Sequence, residues 1–349
     1  MTHDYEKPPT PASGLRLHLN ENTGGCSPAV LDALRSLRCT DASFYPDYSR
    51  AIAACARHLG VDEDEVLLTN GLDEGILATS VATLRGRSDD GRSEAIVITP
   101  AFDMYAATAD VVGGRVIEVR QPPDFDFPLD AVLAAITPRT RLVFLTNPNN
   151  PTGLLISKQA ILAIADAAPA AIVLLDEAYA DFSGTSLITD ADTRARRNIV
   201  IGRTFAKTYG LAGLRIGALI GAPDTIRPIR RVVPPYSINV AASVALPAAL
   251  ADRQHYETYL RAAAQSKVLI YQALDRLGVP YWRSATNFVL ARFGDAAPRV
   301  AAGLQAKGIY VRDRSSDVAC RGCVRITTGI VEHTQECIAA IEEVLCGAQ

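Results

Sequence analysis

The sequence lacks the features that mark nucleic-acid-binding, membrane-spanning and secreted proteins. Its 349 residues carry a formal net charge of only −3, so no strong electrostatic field favours nucleic acid or an anionic membrane. No apolar run approaches the roughly eighteen residues that a membrane span needs. The first nine residues have no basic start followed by an apolar core, so we expect no secretory signal. These absences predict a protein without nucleic-acid or membrane partners.

Motifs for nucleotides, metals and disulfides are also missing. The chain has neither GxxxxGK[ST] nor GxGxxG, the common nucleotide-binding fingerprints. Its seven cysteines are scattered and odd in number, which favours free thiols in a reducing cytoplasm. Cys320 and Cys323 form a CxxC pair, but a zinc site needs a second ligand pair, and none stands at suitable spacing nearby. We therefore expect no metal site, and a loop with two ordinary cysteines is favoured over a redox pair.

What the sequence does contain is the pattern of a buried parallel sheet. Hydrophobic residues make up 48% of the chain and charged residues 21%, which is a globular composition. Between about residues 45 and 225, short apolar runs alternate with longer helix-like stretches, as in crossover units around a mostly parallel sheet. The predicted strands are Glu65–Thr69, Ala95–Ile98, Arg115–Val119, Leu142–Leu145, Ala171–Leu175, Ile199–Ile201 and Ile216–Ile220. The pattern predicts an α/β fold with a seven-stranded sheet in a large domain.

The pattern changes after residue 235. An alanine-rich helical stretch from about Asn239 to Leu277 is followed by short strands and a terminal helix near 334–345, which indicates a smaller α+β domain. The predicted short strands are Phe288–Leu290, Ile309–Val311 and Cys323–Ile326. We therefore predict an N-terminal arm over 1–40 that packs with the small domain, a large domain over 41–235 and a small domain over 236–349. Two domains are also what this length favours.

Lys207 is the most informative residue of the chain. It lies between two buried-strand patterns, 198–202 and 215–220. In a desolvated cleft the pKa of a lysine falls and its amine becomes a nucleophile, which can form a Schiff base with an aldehyde cofactor such as pyridoxal phosphate. The alternative is an ordinary solvated lysine in a loop. The residues at the ends of the other strands decide between these interpretations.

A glycine, an aromatic residue and a carboxylate each follow one of the predicted strands. In parallel α/β sheets, ligands lie beyond the carboxyl ends of the strands. Gly71 allows a tight turn before a helix whose first N–H groups can bind phosphate, and the alternative is an ordinary helix cap. Phe102 follows the next strand and could stack on a planar cofactor, unless it is a core aromatic. Asp176 ends a continuous apolar run, and a buried carboxylate there needs a cationic partner. A protonated pyridine nitrogen would serve, and a helix N-cap or an internal salt bridge is the alternative.

Taken together, these residues resemble a fold-type I pyridoxal-phosphate enzyme. More narrowly, the chain is similar to the histidinol-phosphate aminotransferase branch of the class I/II aminotransferases from about Leu19 to Leu345. The order and spacing of several motifs carry the resemblance: Asn20-Glu21-Asn22, Tyr45-Pro46-Asp47, Gly71-Leu72-Asp73-Glu74, Asn147 to Gly153, Asp176-Glu177-Ala178-Tyr179, Lys207 with Gly213-Leu214-Arg215, and Val324-Arg325-Ile326-Thr327. The expected fold is therefore a fold-type I transferase with a large cofactor-binding domain and a smaller α+β domain.

The resemblance implies a role for each residue of the cofactor site. Lys207 would form the Schiff base with pyridoxal 5'-phosphate and shuttle the α-proton, while Asp176 would pair with the ring nitrogen. The remaining cofactor contacts would come from Asn150 and Tyr179 at the phenolic oxygen, Phe102 against the ring, and Gly71, Leu72, Asp73, Thr204 and Arg215 at the phosphate. Tyr45 would reach the cofactor of the partner subunit, which implies a homodimer with shared active sites.

The resemblance also implies a substrate end of the site. Arg325, with Arg312, would bind the acidic group of a small-molecule amino donor or of its 2-oxo acid acceptor, and Asn20 and Asn150 would contact the substrate. Arginine suits both carboxylate and phosphate because its planar fork pairs with either. The implied activity is a transaminase that moves an amino group between histidinol phosphate, or an aromatic amino acid, and 2-oxoglutarate.

Several positions depart from the family pattern near the expected substrate. Thr23-Gly24 replaces a proline-aromatic pair, Phe102 stands where tyrosine is usual, Ala206 replaces a serine before the lysine, and Ile330 stands where threonine is common. A substrate-facing tyrosine upstream of Asn20 has no clear match, with Tyr5 as the candidate. Because several of these changes lie near the expected substrate, an aromatic amino acid stays open as the donor beside histidinol phosphate.

Two other functions use the same residues. A pyridoxal-phosphate lyase, such as a threonine-phosphate decarboxylase, would need the same lysine and aspartate, and only the orientation of the substrate would differ. A regulator that senses the cofactor without turnover would need an appended pair of DNA-binding helices. We expect the arm before Asn20 to be too short for such a pair.

Overall fold

A computed structural model of the chain describes residues 11–88 and 91–346. The strands are β1 (Leu15–Arg16), β2 (Val66–Thr69), β3 (Arg87–Ser88), β4 (Gly91–Arg92), β5 (Glu94–Thr99), β6 (Arg115–Arg120), β7 (Thr140–Thr146), β8 (Ile172–Asp176), β9 (Ile199–Thr204), β10 (Gly217–Ile220), β11 (Phe288–Arg292), β12 (Ile309–Tyr310), β13 (Arg312–Asp313) and β14 (Cys323–Thr327). The helices are α1 (Pro28–Arg35), α2 (Cys39–Ser43), α3 (Ser49–Leu59), α4 (Gly71–Leu84), α5 (Met104–Val111), α6 (Leu129–Ala135), α7 (Lys158–Ala167), α8 (Ala191–Arg194), α9 (Pro223–Arg230), α10 (Val240–Ala251), α11 (Arg253–Arg276), α12 (Ala297–Ala306) and α13 (Val331–Cys346).

Seven strands form one large sheet in the order β2, β10, β9, β8, β7, β5 and β6. β10 runs antiparallel to both of its neighbours, and the other neighbouring strands are parallel. Both faces are covered, because alternate residues of β7 enter different apolar clusters: Val143 and Leu145 on one side, Leu142 and Phe144 on the other. Burial on both faces explains the continuous apolar runs. The predicted α/β class with a mostly parallel seven-stranded sheet is confirmed.

One edge of this sheet collects the ends of several strands. The parallel strands β7, β8 and β9 end there, and β2 ends there as well. β10 starts at the same edge, because Gly217 pairs with both Thr69 and Thr204. Arg215 precedes β10 and therefore lies with the carboxyl ends of the other strands. The single antiparallel strand thus adds a basic residue to the edge where a ligand is expected.

A smaller sheet provides the opposite wall. Its three antiparallel strands lie in the order β11, β14 and β13, and Arg312 pairs in register with Arg325. β1 pairs in parallel with β12 beside it. The apolar residues of this region form their own cluster with α11, α12 and α13, which includes Val289, Val324 and Ile341. Arg325 is therefore positioned by a core that is separate from that of the large sheet.

The helical stretch predicted as one run from Asn239 to Leu277 is two helices in the structure. The break lies at Asp252, whose side chain accepts a hydrogen bond from the N–H of His255 and caps the start of α11. Aspartate favours such a cap because its carboxylate bonds to a backbone N–H that a continuous helix would have used. The sequence interpretation followed the alanine content and missed this cap.

The first part of the N-terminal segment packs with the smaller sheet, whereas α1 and α10 pack on the large sheet. Leu15 and Arg16 pair with β12, as the predicted arm would. Val30 of α1 and Leu246 of α10, however, belong to the apolar cluster on the large sheet. The division into 1–40, 41–235 and 236–349 stays a prediction, and this packing favours placing α1 and α10 with the large sheet. None of the helices in the described part of the chain combines the length and the apolar character that a bilayer crossing needs.

Candidate active site

A cleft of about 620 Å³ lies between the edge of the large sheet, the segment around Asn20 and the smaller sheet. This volume is in the range of small-molecule sites. It is lined by these predicted site residues: Asn20, Leu72, Asp73, Phe102, Asn150, Asp176, Tyr179, Thr204, Lys207, Arg215, Arg312 and Arg325. The structure therefore brings together all of the predicted site residues except Gly71 and Tyr45.

Lys207 carries its amine inside this cleft. Nζ donates to the carbonyl oxygen of Leu19 at 2.8 Å, and no carboxylate of the described residues forms an ion pair with it. Burial lowers the pKa of Lys207 to about 8, and the positive charge of Arg325 contributes in the same direction. At pH 7 about one amine in ten is then neutral, far more than for an ordinary lysine, and the neutral amine is the nucleophile.

Asp176 is 5% exposed at the end of β8 and has no cationic partner among the described residues. Its Oδ2 accepts from the hydroxyl of Tyr105 at 2.6 Å, and its Oδ1 accepts from the N–H of Ala178 at 2.8 Å. Burial raises the pKa of Asp176 to about 6, although both hydrogen bonds act to lower it. A buried carboxylate of this kind favours a cationic ligand group, because no cation in the part of the chain that the structure describes neutralises it.

The first turn of α4 forms another wall. Gly71 has a φ of +72°, and a Cβ at this position would lie 2.5 Å from Nη2 of Arg215. Glycine is therefore required for the backbone conformation and for the approach of the guanidinium. Arg215 also pairs with Asp73 at 2.9 Å, and Thr204 lines the same end of the cleft. The helix N-terminus, the hydroxyl and the guanidinium together form a site that suits phosphate.

Two long-range contacts tie the segment around Asn20 to the site. The Nδ2 of Asn20 donates to the hydroxyl of Tyr179 at 2.9 Å, and the Oδ1 of Asn20 accepts from Thr327 at 3.1 Å. Asn20 is buried and adopts a φ of 56°, a conformation that few residues other than glycine take up. Burial raises the pKa of Tyr179, so the phenol keeps its proton as a donor. Asn20 thus acts on Tyr179 as well as lining the cleft.

Arg325 is a buried cation without a carboxylate partner among the described residues. Its guanidinium donates to the carbonyl oxygen of His18 at 2.6 Å and to the side-chain oxygen of Asn150. It lies over the ring of Phe288 with 5.3 Å to the centroid. Burial lowers the pKa of Arg325 to about 10, and the nearby charge of Arg314 adds to this effect. Such a group is suited to an anionic ligand.

Arg314 lies in the same cleft and was missed by the sequence interpretation. It is buried, it pairs with Asp317, and its Nε has no hydrogen-bond partner among the described residues. The signal was available in the sequence, since alternate residues of an extended segment point the same way and Arg314 stands two positions after Arg312. The cleft therefore has three arginines at its substrate end.

Tyr105 was also missed as a site residue. Phe102 packs edge-on against it with ring centroids 5.7 Å apart, and the hydroxyl of Tyr105 donates to Asp176. Phe102 precedes α5 and Tyr105 lies in its first turn, three positions later, a spacing that places side chains on one face of a helical turn. That spacing was the signal that could have identified Tyr105.

A buried ion network lies beneath Lys207. Arg203 pairs with Glu177 at 3.3 Å and with Asp181 at a shorter distance. Asp181 also accepts from the hydroxyl of Thr208 at 2.9 Å, which fixes the residue next to Lys207. Burial acts against the charge of Arg203, but the two carboxylates outweigh it and raise its pKa. Unlike Lys207, Asp176 and Arg325, Arg203 has its counter-charges among the described residues.

Tyr45 lies outside the cleft of its own chain. It is 78% exposed, and its ring stacks on Tyr236 with centroids 4.2 Å apart. Its predicted contact with the cofactor of a partner subunit stays a prediction. Tyr5, the candidate for the substrate-facing tyrosine, lies outside the described residues.

Two departures from the family pattern contact each other. The hydroxyl of Thr23 accepts from the backbone N–H of Ile330 at 2.9 Å, at the start of α13. A side chain on Gly24 would contact Ile330 at 3.1 Å. The substitutions at these positions are therefore mutually compatible in packing. Ala206, a third departure, lines the cleft beside Lys207.

Cys320 and Cys323 are buried free cysteines in the connection that leads to β14. The N–H of Cys323 bonds to the carbonyl of Cys320 at 2.8 Å, which makes the pair part of a tight turn. Within residues 11–88 and 91–346 no cluster of three or more histidine, cysteine, aspartate or glutamate side chains could hold a metal ion.

Comparison with known proteins identifies relatives along nearly the whole chain. The family model of aminotransferase class I and II matches residues 12–341. The histidinol-phosphate aminotransferase of Moorella thermoacetica is 36% identical over 95% of this chain and 85% of that protein. Histidinol-phosphate aminotransferase 2 of Ralstonia nicotianae is 35% identical over 96% of this chain and 90% of that protein.

A solved structure shows the same architecture. The histidinol-phosphate aminotransferase of Sinorhizobium meliloti, in complex with pyridoxal-5'-phosphate, is 26% identical and has a TM-score of 0.85, covering 96% of this chain and 92% of that chain. The likeness confirms the expected fold-type I architecture.

Proposed function

This chain belongs to the class I and II aminotransferases, and from that premise we propose that it moves an amino group between histidinol phosphate, or an aromatic amino acid, and 2-oxoglutarate. It is a transaminase that depends on pyridoxal 5'-phosphate. The observation that carries the proposal is a single cleft that holds Lys207, Asp176 and Arg325. The lysine has a lowered pKa, and among the described residues the buried carboxylate has no cationic partner and the buried arginine has no carboxylate partner.

The residues of the cleft fit pyridoxal phosphate. Asp176 would pair with the protonated ring nitrogen, since no cation of the described residues neutralises it. Lys207 would hold the aldehyde carbon covalently, and the first turn of α4 with Thr204 and Arg215 would hold the phosphate. Phe102, Asn150 and Tyr179 line the space between these ends. When bound there, the cofactor supplies the electron sink that makes the α-proton of an amino acid removable.

The chain supplies the proton transfer. The pKa of Lys207, about 8, allows its amine to take up and release a proton near neutral pH. A positioned proton shuttle contributes about 10²–10⁴ in rate. The backbone that follows Lys207 is held in place, because the hydroxyl of Thr208 donates to Asp181 and its carbonyl oxygen accepts from Asn22. Lys207 is therefore suited to act as the general acid and base at the α-carbon.

The substrate end favours strongly anionic substrates. Arg312, Arg314 and Arg325 all line it, and only Arg314 forms an ion pair among the described residues. A phosphate monoester or a dicarboxylate can pair with more than one guanidinium, whereas an aromatic amino acid offers a single carboxylate. This supports histidinol phosphate as the donor and 2-oxoglutarate as the acceptor.

The proposal includes a homodimer with shared active sites in the cytoplasm. Tyr45, Phe44 and Tyr236 form a group of exposed aromatic side chains, and such a group favours burial against another chain. The free thiols of Cys26, Cys39, Cys55, Cys320, Cys323 and Cys337 fit a reducing compartment. Replacing Tyr45 by Phe should weaken cofactor retention if the tyrosine hydroxyl contacts the cofactor of the partner. An unchanged cofactor dissociation constant in the variant dimer would contradict the shared site.

A panel of amino donors tests the function. Histidinol phosphate, phenylalanine, tyrosine and threonine phosphate are each incubated with the purified protein, pyridoxal phosphate and 2-oxoglutarate, and both glutamate and carbon dioxide are measured. We expect glutamate, fastest with histidinol phosphate. Carbon dioxide without glutamate would instead indicate the lyase alternative, such as a threonine-phosphate decarboxylase. Absence of glutamate with every donor would overturn the proposal.

A further inference from the structure

Two consecutive hydrogen bonds hold Asp176, one from β7 to α5 and one from α5 to Asp176 itself. Thr146, at the end of β7, donates from Oγ1 to the hydroxyl of Tyr105 at 2.9 Å. Tyr105, in the first turn of α5, donates to Oδ2 of Asp176 at 2.6 Å. Its ring is 1% exposed and stacks on Phe144 with centroids 4.9 Å apart. The phenol is therefore fixed in position by packing as well as by its hydrogen bonds.

In the hydrogen bonds that link Thr146, Tyr105 and Asp176, the donor and the acceptor of each bond can be assigned. A phenol has one proton to donate, and Thr146 occupies an acceptor position on Tyr105 with its own proton. The proton of Tyr105 is therefore left for Asp176. Burial, followed by the negative charge of Asp176, raises the pKa of Tyr105 well above its ordinary value, so the phenol does not ionise. Tyr105 thus remains a donor to the carboxylate throughout the working pH range.

We propose that Tyr105 is a positioning residue that keeps Asp176 ionised and correctly oriented, so that the proton of the bound cofactor stays on its ring nitrogen. The inference rests on the proposed function for its effect on catalysis. A hydrogen bond donated to a carboxylate makes it a weaker base. Without this bond, the buried carboxylate would compete for the proton of the ring nitrogen.

Other charged groups act on Asp176 in the opposite direction. Asp73, from α4, and Glu177, next in the chain, both raise its pKa by repulsion, after the larger effect of burial. The phenol of Tyr179 and the amine of Lys207 line the same cleft. The hydrogen bonds from Tyr105 and from the N–H of Ala178 are the contacts that lower the pKa. Of these two, only the contact from Tyr105 can be removed by a side-chain substitution.

The test compares the holoenzyme with its Tyr105→Phe variant, which keeps the ring and removes the hydroxyl. Pyridoxal phosphate labelled with ¹⁵N at the ring is bound to each protein, and its chemical shift is followed against pH. We expect the ratio of protonated to unprotonated ring nitrogen at neutral pH to fall about ten- to hundredfold, because the proton moves to the more basic carboxylate and a hydrogen bond to a charged group contributes about that much. The cofactor dissociation constant should rise about tenfold or more.

Two further variants keep the inference falsifiable. Thr146→Val retains the shape of the side chain and frees the proton of Tyr105 to rotate, so a smaller shift in the same direction is expected even if Tyr105→Phe does not fold. Tyr259→Phe removes another buried phenol, on α11 and outside the lining of the cleft, and should leave the titration unchanged.

The outcomes are distinct from those of the donor panel. Identical ¹⁵N titrations in the wild type, Tyr105→Phe and Thr146→Val would overturn the inference. An equal shift in the Tyr259→Phe control would overturn it as well, because the effect would then be a general consequence of removing a phenol. A protein that shows the Tyr105 shift but forms no glutamate would contradict the proposed function and leave the inference intact.

Discussion

Two arginines of this protein are equally buried and have opposite surroundings. Arg203, beneath the cleft, and Arg325, inside it, are each 5% exposed. Arg203 pairs with Glu177 and Asp181, and its pKa rises in spite of burial. Within residues 11–88 and 91–346, Arg325 donates to neutral oxygens only, and burial lowers its pKa to about 10. Burial alone therefore does not distinguish a structural charge from a ligand-binding one.

The difference lies in where the counter-charge comes from. A buried ion that is paired within the protein contributes to a fixed structure, and the loss of one partner leaves the others uncompensated. A buried ion without a partner costs free energy until a ligand neutralises it. Lys207, Asp176 and Arg325 are of the second kind. We therefore expect changes in the cleft to reduce activity more than stability, and changes in the network to reduce stability.

The largest expected effect is on catalysis, from Lys207→Ala. Turnover with the best donor should fall by at least about 10²–10⁴-fold, because the proton shuttle is lost along with the covalent contact. The free energy of unfolding should stay equal or rise, since the variant removes a buried amine that has no carboxylate partner. Borohydride treatment of the wild type should link the cofactor to Lys207, as detected by mass spectrometry. Normal turnover in the variant would show that the assignment of Lys207 is wrong.

The opposite pattern is expected for Arg203→Gln. The variant leaves Glu177 and Asp181 as uncompensated buried carboxylates, so the free energy of unfolding should fall by about 3–5 kcal/mol. Chemical denaturation measures this change. Arg197→Gln is the control, because Arg197 forms an exposed pair with Asp224 and should contribute less than about 1 kcal/mol. Equal effects of the two substitutions would contradict the distinction between the network and the surface.

In the cofactor-free protein, the contribution of the unpaired Asp176 to the free energy of unfolding should depend on pH. Its pKa in the folded state, about 6, lies above the value of about 3.9 expected in the unfolded chain. The folded state therefore binds the proton more tightly, and the contribution of this group is lost as the pH rises through 6. Between pH 7 and pH 4, the stability of the wild type relative to Asp176→Asn should increase by up to about 3 kcal/mol. A difference that does not vary with pH would show that Asp176 is not perturbed.

The smallest expected effect is from Arg325→Gln. The KM for an anionic donor should rise about 10–100-fold, because a charge-assisted hydrogen bond contributes about 1.5–3 kcal/mol. Stability should not fall, in contrast to Arg203→Gln. Arg321→Gln makes the same change of charge at an exposed position four residues earlier and should leave KM unchanged. Similar KM values for both variants would contradict a role of Arg325 in substrate binding.

The cofactor side of the cleft could be predicted more fully than the substrate side. Gly71, Asp176 and Lys207 each lie beside a continuous apolar strand, and the carboxyl ends of parallel strands meet at one edge of a sheet. On the substrate side, Arg314 had only its spacing from Arg312 as a signal, and the contact of Asn20 with Tyr179 had no local signal. Asn20 and Tyr179 are 159 positions apart, and their contact depends on how the N-terminal segment packs between the two sheets.

The sequence by itself determined the α/β architecture, the seven strands and the edge at which the cofactor residues lie. These follow from apolar periodicity and from which residue types end a buried strand, and both properties are local. The tertiary structure alone decided which buried charges are paired within the protein and which are left for a ligand. Arg203 and Arg325 look alike in the sequence, and so do Glu177 and Asp176. The energy of a buried charge depends on the groups within a few ångströms, which are brought there by distant parts of the chain.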